Sequence, residues 1–220
     1  MLKKIITKDN TETFMNEEVG ESYHSGSGAV EEALKKYVIP CKIAELAKTG
    51  KLTILDVCFG IGYNSAMAIE KALEVNPDCE IIVYGLEYDP EIIKKIQEVT
   101  PPIKFFQHYK NLRPDSLEFR EGNVHVKIFL GDARETVKEL PNEFFDAIFF
   151  DPFSPKTAPE MWSPIFFKQM FRVLKNSGIL ATYSCARMAR DNMKTAGFMY
   201  DDGPIVGRRG PGTLATKWID

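Results

Sequence analysis

Histidine and cysteine are scarce in this chain, and their positions exclude several kinds of site. The 220 residues include three histidines and four cysteines. The cysteines form no C-x-x-C pair, and neither His108 nor His125 clusters in sequence with a cysteine, so no metal motif can be recognised. We therefore expect reduced, mostly buried thiols and no bound metal.

Long apolar runs are also missing. No stretch approaches the eighteen or so apolar residues that a membrane-spanning helix needs, so a membrane partner is not expected. The first ten residues are mostly polar and contain no extended apolar segment, which predicts that a signal peptide is absent. Together with the cysteine usage, these features predict a cytoplasmic protein.

Charge of one sign is not in excess either. The net charge of −3 gives no overall basic field, so a nucleic acid would have to be held by a local basic patch or by one base entering a pocket. A hydrophobic content of 44% and a charged content of 27% are ordinary for a globular protein. The length fits one domain over residues 1–220, with an N-terminal lead-in of about 1–50.

Short apolar runs alternate with helical patterns along most of the chain. The apolar runs predict strands at residues 52–57, 81–86, 124–130, 147–150 and 178–183. Helical spacing predicts helices at residues 29–47 with a break at Pro40, 64–75, from about 92 to before Pro101, 159–174 and 188–196. The alternation predicts a mainly parallel α/β sheet, and a closing pair of strands after Met199 would add an antiparallel edge. This is the Rossmann-like layout of class I methyltransferases.

A glycine-rich turn follows the first of these strands. Residues 56–62 read D-V-C-F-G-I-G, and glycine lets the backbone turn tightly and approach a ligand. The turn resembles D-x-G-x-G-x-G, the first motif of class I methyltransferases that use S-adenosylmethionine, with Cys58 in place of the first glycine. A nicotinamide site would need G-x-G-x-x-G, but Ser65 stands where its third glycine is required. The pattern favours S-adenosylmethionine, with a plain tight turn as the alternative.

Acidic residues end the first three β-α strands in order. Asp56 ends the first strand, Glu87 ends the second, and Asp132 with Ala133 follows the third. The Glu87 carboxylate can accept hydrogen bonds from both ribose hydroxyls, and methyltransferases commonly place an acid at the position of Asp132 against adenine. Each acid alone can be a solvated strand-end cap, but the ordered set favours an adenosyl cofactor.

The fourth strand ends in the sequence D-P-F-S-P. Residues 147–150 predict a buried parallel strand that places Asp151 at its carboxyl end, where open α/β sheets bind ligands. Asp151-Pro152-Phe153 resembles D-P-P-Y motifs, in which an acid or amide and an aromatic ring hold an amino group beside a methyl donor. Deprotonating an alkylamine with a pKa near 10.4 at pH 7 costs about 4.6 kcal/mol. We predict that Asp151 orients such an amine, and its action as the base stays open.

The motifs together resemble one family, the methyltransferase portion of the tRNA-modification enzyme MnmC. The resemblance runs from about residue 17 to the C-terminus and is carried by residues 21–32, 59–64, 131–135, 151–156 and 159–162. It implies methyl transfer from S-adenosylmethionine to the amine of 5-aminomethyluridine at the wobble position, with the tRNA anticodon loop as partner. Two-domain MnmC also carries a flavin oxidase domain, but this chain has no room for one and no second glycine turn. No flavin is therefore implied, and the substrate would arrive already as the amine.

The same resemblance implies roles for individual residues. Asp151 matches the active-site acid, Glu87 the ribose acid and Asp132 the adenine-side acid. By the same resemblance, the residues near the donor include Tyr23, His24 and Asn64. The other predicted cofactor-binding residues, taken from the motifs themselves, are Gly60, Gly62 and Ala133. On the substrate side we predict His24 and Phe153 and, from their charge, Lys156, Arg187 and Arg208, which could line the mouth of the acid site and meet phosphates of the anticodon loop. A lone histidine is more often structural and exposed arginines are more often plain surface, so these assignments compete with structural interpretations.

Two other functions stay open at this level. One is a methyl- or aminopropyltransferase acting on a small free amine such as a polyamine, and the other is a non-catalytic nucleotide-binding module. A basic rim containing Arg187 and Arg208 would favour RNA, whereas an acidic rim would favour polyamines. The long aromatic connection at residues 101–122 is a candidate lid or RNA contact.

Overall fold

A computed structural model describes residues 1–207 and 209–217 of the chain. Its strands are β1 (Leu2–Ile6), β2 (Glu12–Asn16), β3 (Glu21–Ser22), β4 (Lys51–Val57), β5 (Glu80–Glu87), β6 (Glu118–Glu121), β7 (Val124–Leu130), β8 (Phe145–Phe150), β9 (Leu174–Thr182), β10 (Phe198–Asp202) and β11 (Thr213–Lys217). The predicted strands are all present, several of them longer at their N-terminal ends.

Helices connect the strands of the main sheet. They are α1 (Ala29–Glu32), α2 (Ile43–Ala47), α3 (Tyr63–Val75), α4 (Pro90–Lys95), α5 (Phe106–Tyr109), α6 (Ala133–Thr136), α7 (Pro164–Val173) and α8 (Arg187–Thr195). A π-helical segment at Ala33–Val38 continues α1, and 3-10 turns lie at Ile96–Glu98, Val137–Glu139 and Pro159–Trp162. No helix in the described ranges has both the length and the apolar character needed to cross a membrane.

The main sheet has eight strands in the order β10-β11-β9-β8-β4-β5-β7-β6. The five central strands, β9, β8, β4, β5 and β7, are parallel to one another. At one edge β11 pairs antiparallel with β9 and then with β10, and at the other edge β6 pairs antiparallel with β7. The α/β class, the parallel centre and the antiparallel closing strands are thus confirmed. The sequence does not predict β6, because its four residues carry a single apolar side chain.

The direction of chain winding reverses at β4. From β4 the chain adds β5 and β7 on one side, then returns to place β8 and β9 on the other. The gap between the carboxyl ends of β4 and β8 is therefore the topological switch point, where open α/β sheets bind ligands. The backbone N–H of Asp151, just after β8, donates to the carbonyl of Val57 at 3.2 Å, so the predicted acid lies beside the glycine turn.

Two apolar clusters bury the two faces of the sheet. Leu52 and Ile54 of β4 belong to one cluster, and Leu55 and Val57 belong to the other. A strand covered on both faces needs apolar residues at nearly every position, which explains the continuous runs in the sequence. The first cluster also includes Phe14 of the N-terminal strands, which is 1% exposed.

The lead-in contains a second, small sheet that the sequence does not predict. Strands β1, β2 and β3 pair antiparallel in that order. The hydroxyl of Tyr63, in α3, donates to the carbonyl of Glu12 at 2.8 Å and ties this sheet to the main one. These strands are short and partly exposed, so their apolar alternation is too brief to read.

The helix predicted over residues 159–174 is wrong in its extent. Residues Pro159–Trp162 form a 3-10 turn, and α7 starts afresh at Pro164. Ser163 caps α7, since its hydroxyl accepts the backbone N–H of Phe166 at 3.3 Å. Proline at the first helical position favours the same start. The predicted break near Pro40 is confirmed, because helical backbone stops at Val38 and resumes at Ile43.

Candidate active site

A cavity of about 1120 Å³ opens at the switch point of the main sheet. Ligand pockets commonly measure about 300–1,000 Å³, so this cavity has room for an adenosyl cofactor and part of a second substrate. Most of the residues that the sequence singles out line it together. They are Tyr23, His24, Gly60, Asn64, Glu87, Asp132, Ala133, Asp151 and Phe153.

The two glycines of the turn have different tasks. Gly60 lines the cavity with φ +58, and an added Cβ would lie 3.3 Å from the ring of Tyr23. Gly62, with φ +79, lies outside the lining, and its added Cβ would lie 2.5 Å from Phe59 and 2.6 Å from Tyr109. The structure therefore gives Gly62 a packing role behind the turn, in place of the predicted cofactor contact.

Gly62→Ala is expected to destabilise the protein more than Gly50→Ala does. Both glycines have similar positive φ values, +79 and +85, so each variant carries the strain of alanine in the left-handed region, about 1–2 kcal/mol. Only at Gly62 does the new methyl also collide with aromatic rings, which adds about 1–3 kcal/mol. Thermal unfolding of both variants measures the difference, and equal losses would contradict the packing role.

Cys58 adopts φ +62 where the motif usually has glycine. Its side chain lines the cavity without closing it. Burial raises the pKa of the thiol well above its ordinary value, and the carboxyl groups of Glu87 and Asp151 raise it further. The thiol therefore stays protonated at neutral pH and is not a nucleophile.

Glu87 is the buried acid at the end of β5. Its Oε2 accepts the N–H of Gly60 at 2.7 Å, and its Oε1 accepts the N–H groups of Tyr88 and Asp89, both at 2.8 Å. A carboxylate offers about four acceptor positions, so about one remains, on Oε2. The structure thus leaves room for one ribose hydroxyl rather than two. Burial raises the pKa of Glu87 to about 6, against the pull of its backbone donors.

Asp132 stands on the far wall, at the start of α6. Its side chain accepts the backbone N–H of Arg134 at 2.9 Å and pairs with the Arg134 guanidinium. Hydrogen bonds from Arg134 hold the pKa of Asp132 below its ordinary value. The acid therefore fixes the turn that carries Ala133, and both of its carboxylate oxygens already accept hydrogen bonds from Arg134.

Asp151 lines the cavity beside the glycine turn. The amide Nδ2 of Asn64 donates to its Oδ2 at 3.0 Å. Burial raises the pKa of Asp151 to about 6, while Tyr37 and Asn64 oppose the shift. In the same lining, the rings of Tyr23 and Phe153 meet edge to face with centroids 5.3 Å apart. The cavity thus presents an acid held by a hydrogen-bond donor together with an aromatic wall.

His24 is a packed, neutral ring in the cavity wall. Its Nδ1 shares a hydrogen bond of 2.8 Å with the hydroxyl of Thr13, and its ring stacks on Tyr63 at 5.1 Å. Burial lowers the pKa of His24 to about 4, so it carries no charge at neutral pH. Within residues 1–207 and 209–217, no three histidine, cysteine or acidic side chains are grouped to hold a metal ion.

The basic residues implied in substrate binding are not part of the cavity. Lys156 is exposed on the loop after β8 and does not line it. Arg187 also lies outside the lining, with a side chain 95% exposed and paired with Asp191 at 3.6 Å. Arg208 falls outside the described residues.

Acidic side chains dominate the lining of the cavity. They are Glu18, Glu21, Glu32, Glu87, Asp89, Asp132, Asp151 and Glu160. The basic side chains in the described part of the lining, Lys36 and Arg134, are each paired with an acid, Glu32 and Asp132. The predicted basic rim is therefore absent from the described lining. The acidic wall suits cationic groups such as a sulfonium or an ammonium.

The aromatic connection at residues 101–122 packs behind the glycine turn. Phe106 and Tyr109 are buried, and the ring of Tyr109 lies parallel to that of Phe59 at 5.9 Å. All residues of this connection are described, and none lines the cavity. The connection therefore supports the turn from behind, and its role as a lid or RNA contact stays a prediction.

Apart from Tyr23 and His24, the sequence does not predict the part of the wall that comes from residues before β4. Glu21 accepts the backbone N–H of Ser154 at 2.9 Å and joins β3 to the loop after Asp151. The cavity is also lined by Glu32 at the end of α1 and by Lys36 and Tyr37 of the π-helical segment that follows it. The i,i+4 spacing of Glu32 and Lys36 is visible in the sequence, but such pairs usually lie on the surface.

The residues present fit S-adenosylmethionine. Because Gly60 has no side chain, the cofactor can approach its backbone closely. The free acceptor position of Glu87 suits a sugar hydroxyl. The acidic lining suits the positive sulfonium. Glu87, Gly60 and Ala133 would hold the adenosyl part, and Asp151 would face the methyl group.

Comparisons with known proteins agree with this site. Residues 94–218 match a family model described as S-adenosyl-L-methionine-dependent methyltransferase. An uncharacterized protein of Methanocaldococcus jannaschii is 30% identical over 97% of this chain, which spans 59% of that protein. The bifunctional protein MnmC of Leptospira interrogans, named for tRNA 5-methylaminomethyl-2-thiouridine biosynthesis, is 26% identical over 93% of this chain and 34% of its own length. The crystal structure of MnmC2 from Aquifex aeolicus superposes with a TM-score of 0.86 at 31% identity, covering 98% of this chain and 70% of that one.

Proposed function

Because this chain belongs to the family of S-adenosyl-L-methionine-dependent methyltransferases that includes MnmC, we propose that it methylates the amine of 5-aminomethyluridine at the wobble position of tRNA. Bound S-adenosylmethionine supplies an electrophilic methyl carbon. The observation that carries the proposal is the partly buried Asp151, which accepts a hydrogen bond from Asn64 beside the glycine turn.

Asp151 prepares the acceptor nitrogen. Burial raises the pKa of its carboxyl from 3.8 to about 6, which makes it a stronger base than an ordinary aspartate. It accepts an N–H hydrogen bond and turns the nitrogen lone pair toward the methyl carbon. As the nitrogen–carbon bond forms, the carbon–sulfur bond breaks and its electron pair goes to sulfur. The nitrogen gives up one proton, which Asp151 passes to solvent.

Positioning supplies most of the rate enhancement in such a displacement. Holding two reactants in line can contribute about 7–11 kcal/mol in favourable cases. Gly60 and Glu87 fix the donor side, and the rings of Tyr23 and Phe153 form an aromatic wall for a uracil base. We propose that residues 1–220 act as one methyltransferase domain, with the N-terminal sheet completing this wall.

The acidic cavity receives only the modified base, so the tRNA phosphates must bind elsewhere. A base leaves its stack to reach an enclosed site of this kind. We assign phosphate contacts to Lys156 and Arg187, which are exposed outside the cavity, and to Arg208. With tRNA as the substrate, we propose that the activity is cytoplasmic.

One observation favours a second candidate function. The lining is acidic, and the basic side chains in its described part are all paired with acids. Such a cavity would also bind a free polyamine. A methyl- or aminopropyltransferase for such amines could use Asp151 in the same way. It would need neither Lys156 nor Arg187.

Labelled donor separates the two candidates. The protein is incubated with methyl-labelled S-adenosylmethionine and bulk tRNA that carries 5-aminomethyluridine, and in parallel with spermidine or putrescine. We expect label in tRNA, in a nucleoside with the mass of 5-methylaminomethyluridine. Label in the polyamine alone, or in a different nucleoside, would contradict the proposal.

A further inference from the structure

A buried tyrosine hydroxyl faces Asp151 but makes no well-formed hydrogen bond with any described residue. Tyr37 is 1% exposed and lines the cavity, and its hydroxyl makes no hydrogen bond of good geometry within the described part of the chain. The ring packs against Phe149 of β8 with centroids 5.6 Å apart, two residues before Asp151. Burying an unpaired hydroxyl costs stability, so such a group in a cavity wall calls for a functional explanation.

The backbone brings Tyr37 to this place by an unusual turn. Ala33–Val38 is π-helical, and the N–H of Ile39 donates to the carbonyl of Leu34, five residues back, at 3.0 Å. In such a turn, residues five apart share a face, so Tyr37 joins Glu32 at the cavity. Single π-helical turns occur frequently at functional sites.

Asp151 needs a second donor if its buried carboxylate is to be ionised. Asn64 supplies one hydrogen bond, to Oδ2. Burial raises the pKa of Tyr37 well above its ordinary value, and the neighbouring Asp151 raises it further, so the phenol keeps its proton. A protonated hydroxyl beside a carboxylate is a hydrogen-bond donor.

The described charged groups around Asp151 do not supply a second hydrogen-bond donor, so a neutral group must donate. The titratable groups that face Asp151 and Tyr37 are Glu32, Lys36, Asp56, Cys58 and Tyr183. Lys36 is neutralised by Glu32 at 2.5 Å. Burial raises the pKa of Asp56 to about 8 and that of Cys58 further, so both are protonated at neutral pH. Among the described residues, no unpaired cation faces the acid.

We propose that Tyr37 is a positioning residue whose hydroxyl closes onto the Asp151 carboxylate and holds it ionised and aimed at the acceptor amine. The inference rests on the proposed role of Asp151. The hydroxyl is itself shielded from the cavity space, so it acts through Asp151 and not on substrate.

Tyr37→Phe tests the proposal, with Tyr109→Phe as the matched control. Tyr109 is also fully buried with a hydroxyl that has no partner among the described residues, but it lies behind the glycine turn and does not line the cavity. The carboxyl carbon of Asp151 is followed by NMR in aspartate-labelled protein without acceptor, and assigned with Asp151→Asn. We expect Asp151 to titrate at higher pH in Tyr37→Phe and unchanged in Tyr109→Phe.

Kinetics give the second readout. Losing one hydrogen bond to a charged group should lower kcat of Tyr37→Phe at neutral pH by about tenfold or more, with partial recovery as the pH rises. The KM for S-adenosylmethionine should stay unchanged. Thermal unfolding should weaken slightly at neutral pH, where the hydroxyl supports the ionised Asp151, and should not weaken at low pH, where Asp151 is protonated.

The outcomes are distinguishable. An unchanged Asp151 titration in Tyr37→Phe, or the same shift in Tyr109→Phe, overturns the role of Tyr37. A shift of the Asp151 titration that occurs only in Tyr37→Phe supports this role. The NMR measurement needs no acceptor substrate. If wild-type protein leaves tRNA unmethylated while the shift is present, the proposed substrate fails and the support of Asp151 by Tyr37 stands.

Discussion

Asp151→Asn is expected to lower turnover at least about a hundredfold, the range in which a positioned proton acceptor contributes. Asparagine keeps the size of the side chain. It can still accept the hydrogen bond from Asn64, which is 3.0 Å long in the wild type. It cannot accept a proton, and its NH₂ group repels the N–H of the acceptor amine. Affinity for S-adenosylmethionine should not change, because the adenosyl part is held elsewhere. Single-turnover methyl transfer and calorimetric titration measure the two quantities.

Glu160→Gln is the matched control for Asp151. Glu160 also lines the cavity, but it is exposed, so its replacement removes one negative charge without touching the acceptor. Its turnover should resemble that of the wild type. Equal losses in both variants would mean that Asp151 acts only through the general field of the cavity, and its assigned role would fail.

Glu87→Gln is expected to weaken binding of S-adenosylmethionine by about tenfold to a hundredfold, the cost of one hydrogen bond to a charged group. In glutamine an NH₂ group replaces the Oε2 oxygen, so the acceptor position for the ribose hydroxyl is lost. The hydrogen bond from the N–H of Gly60 to this oxygen is disturbed as well. Calorimetry with S-adenosylmethionine or its demethylated product measures the loss. Unchanged affinity would rule out the ribose assignment.

The control for Glu87 is the adjacent cavity acid. Asp89→Asn removes a charge from the same wall, yet asparagine can still cap α4 by accepting the N–H of Glu91. Affinity should change little. In the wild type, affinity should fall as the pH drops through about 6, because Glu87 with its raised pKa becomes protonated there. Glu87→Gln should lose this dependence.

Much of the fold is readable from the sequence because its central strands are buried on both faces. Residues 147–150 are all apolar and lie in the middle of the sheet, where no polar alternation interrupts the signal. The N-terminal sheet and β6 are the opposite case. Their short, half-exposed strands are held by distant partners, and local sequence does not contain those partners.

The candidate site divides in the same way. Glu87 and Asp151 are predictable because each follows an apolar strand, and parallel strands bring their carboxyl ends to one edge. Tyr37 depends on which face of a π-helical segment meets the cavity, which only tertiary packing decides. The place of Arg187 outside the cavity lining could not be predicted, because sequence gives the charge of Arg187 but not the direction in which its exposed side chain points.

The central claim is that the Asp151 carboxyl faces the transferable methyl across the width of one nitrogen atom. The most direct measurement is a crystal structure with sinefungin, an analogue in which a carbon bearing an amine replaces the methyl sulfonium. The sinefungin amine should hydrogen-bond to Asp151, directly or through a single water, with its ribose on Glu87. An amine turned toward any other wall, or an analogue seated away from the switch point, would contradict the account.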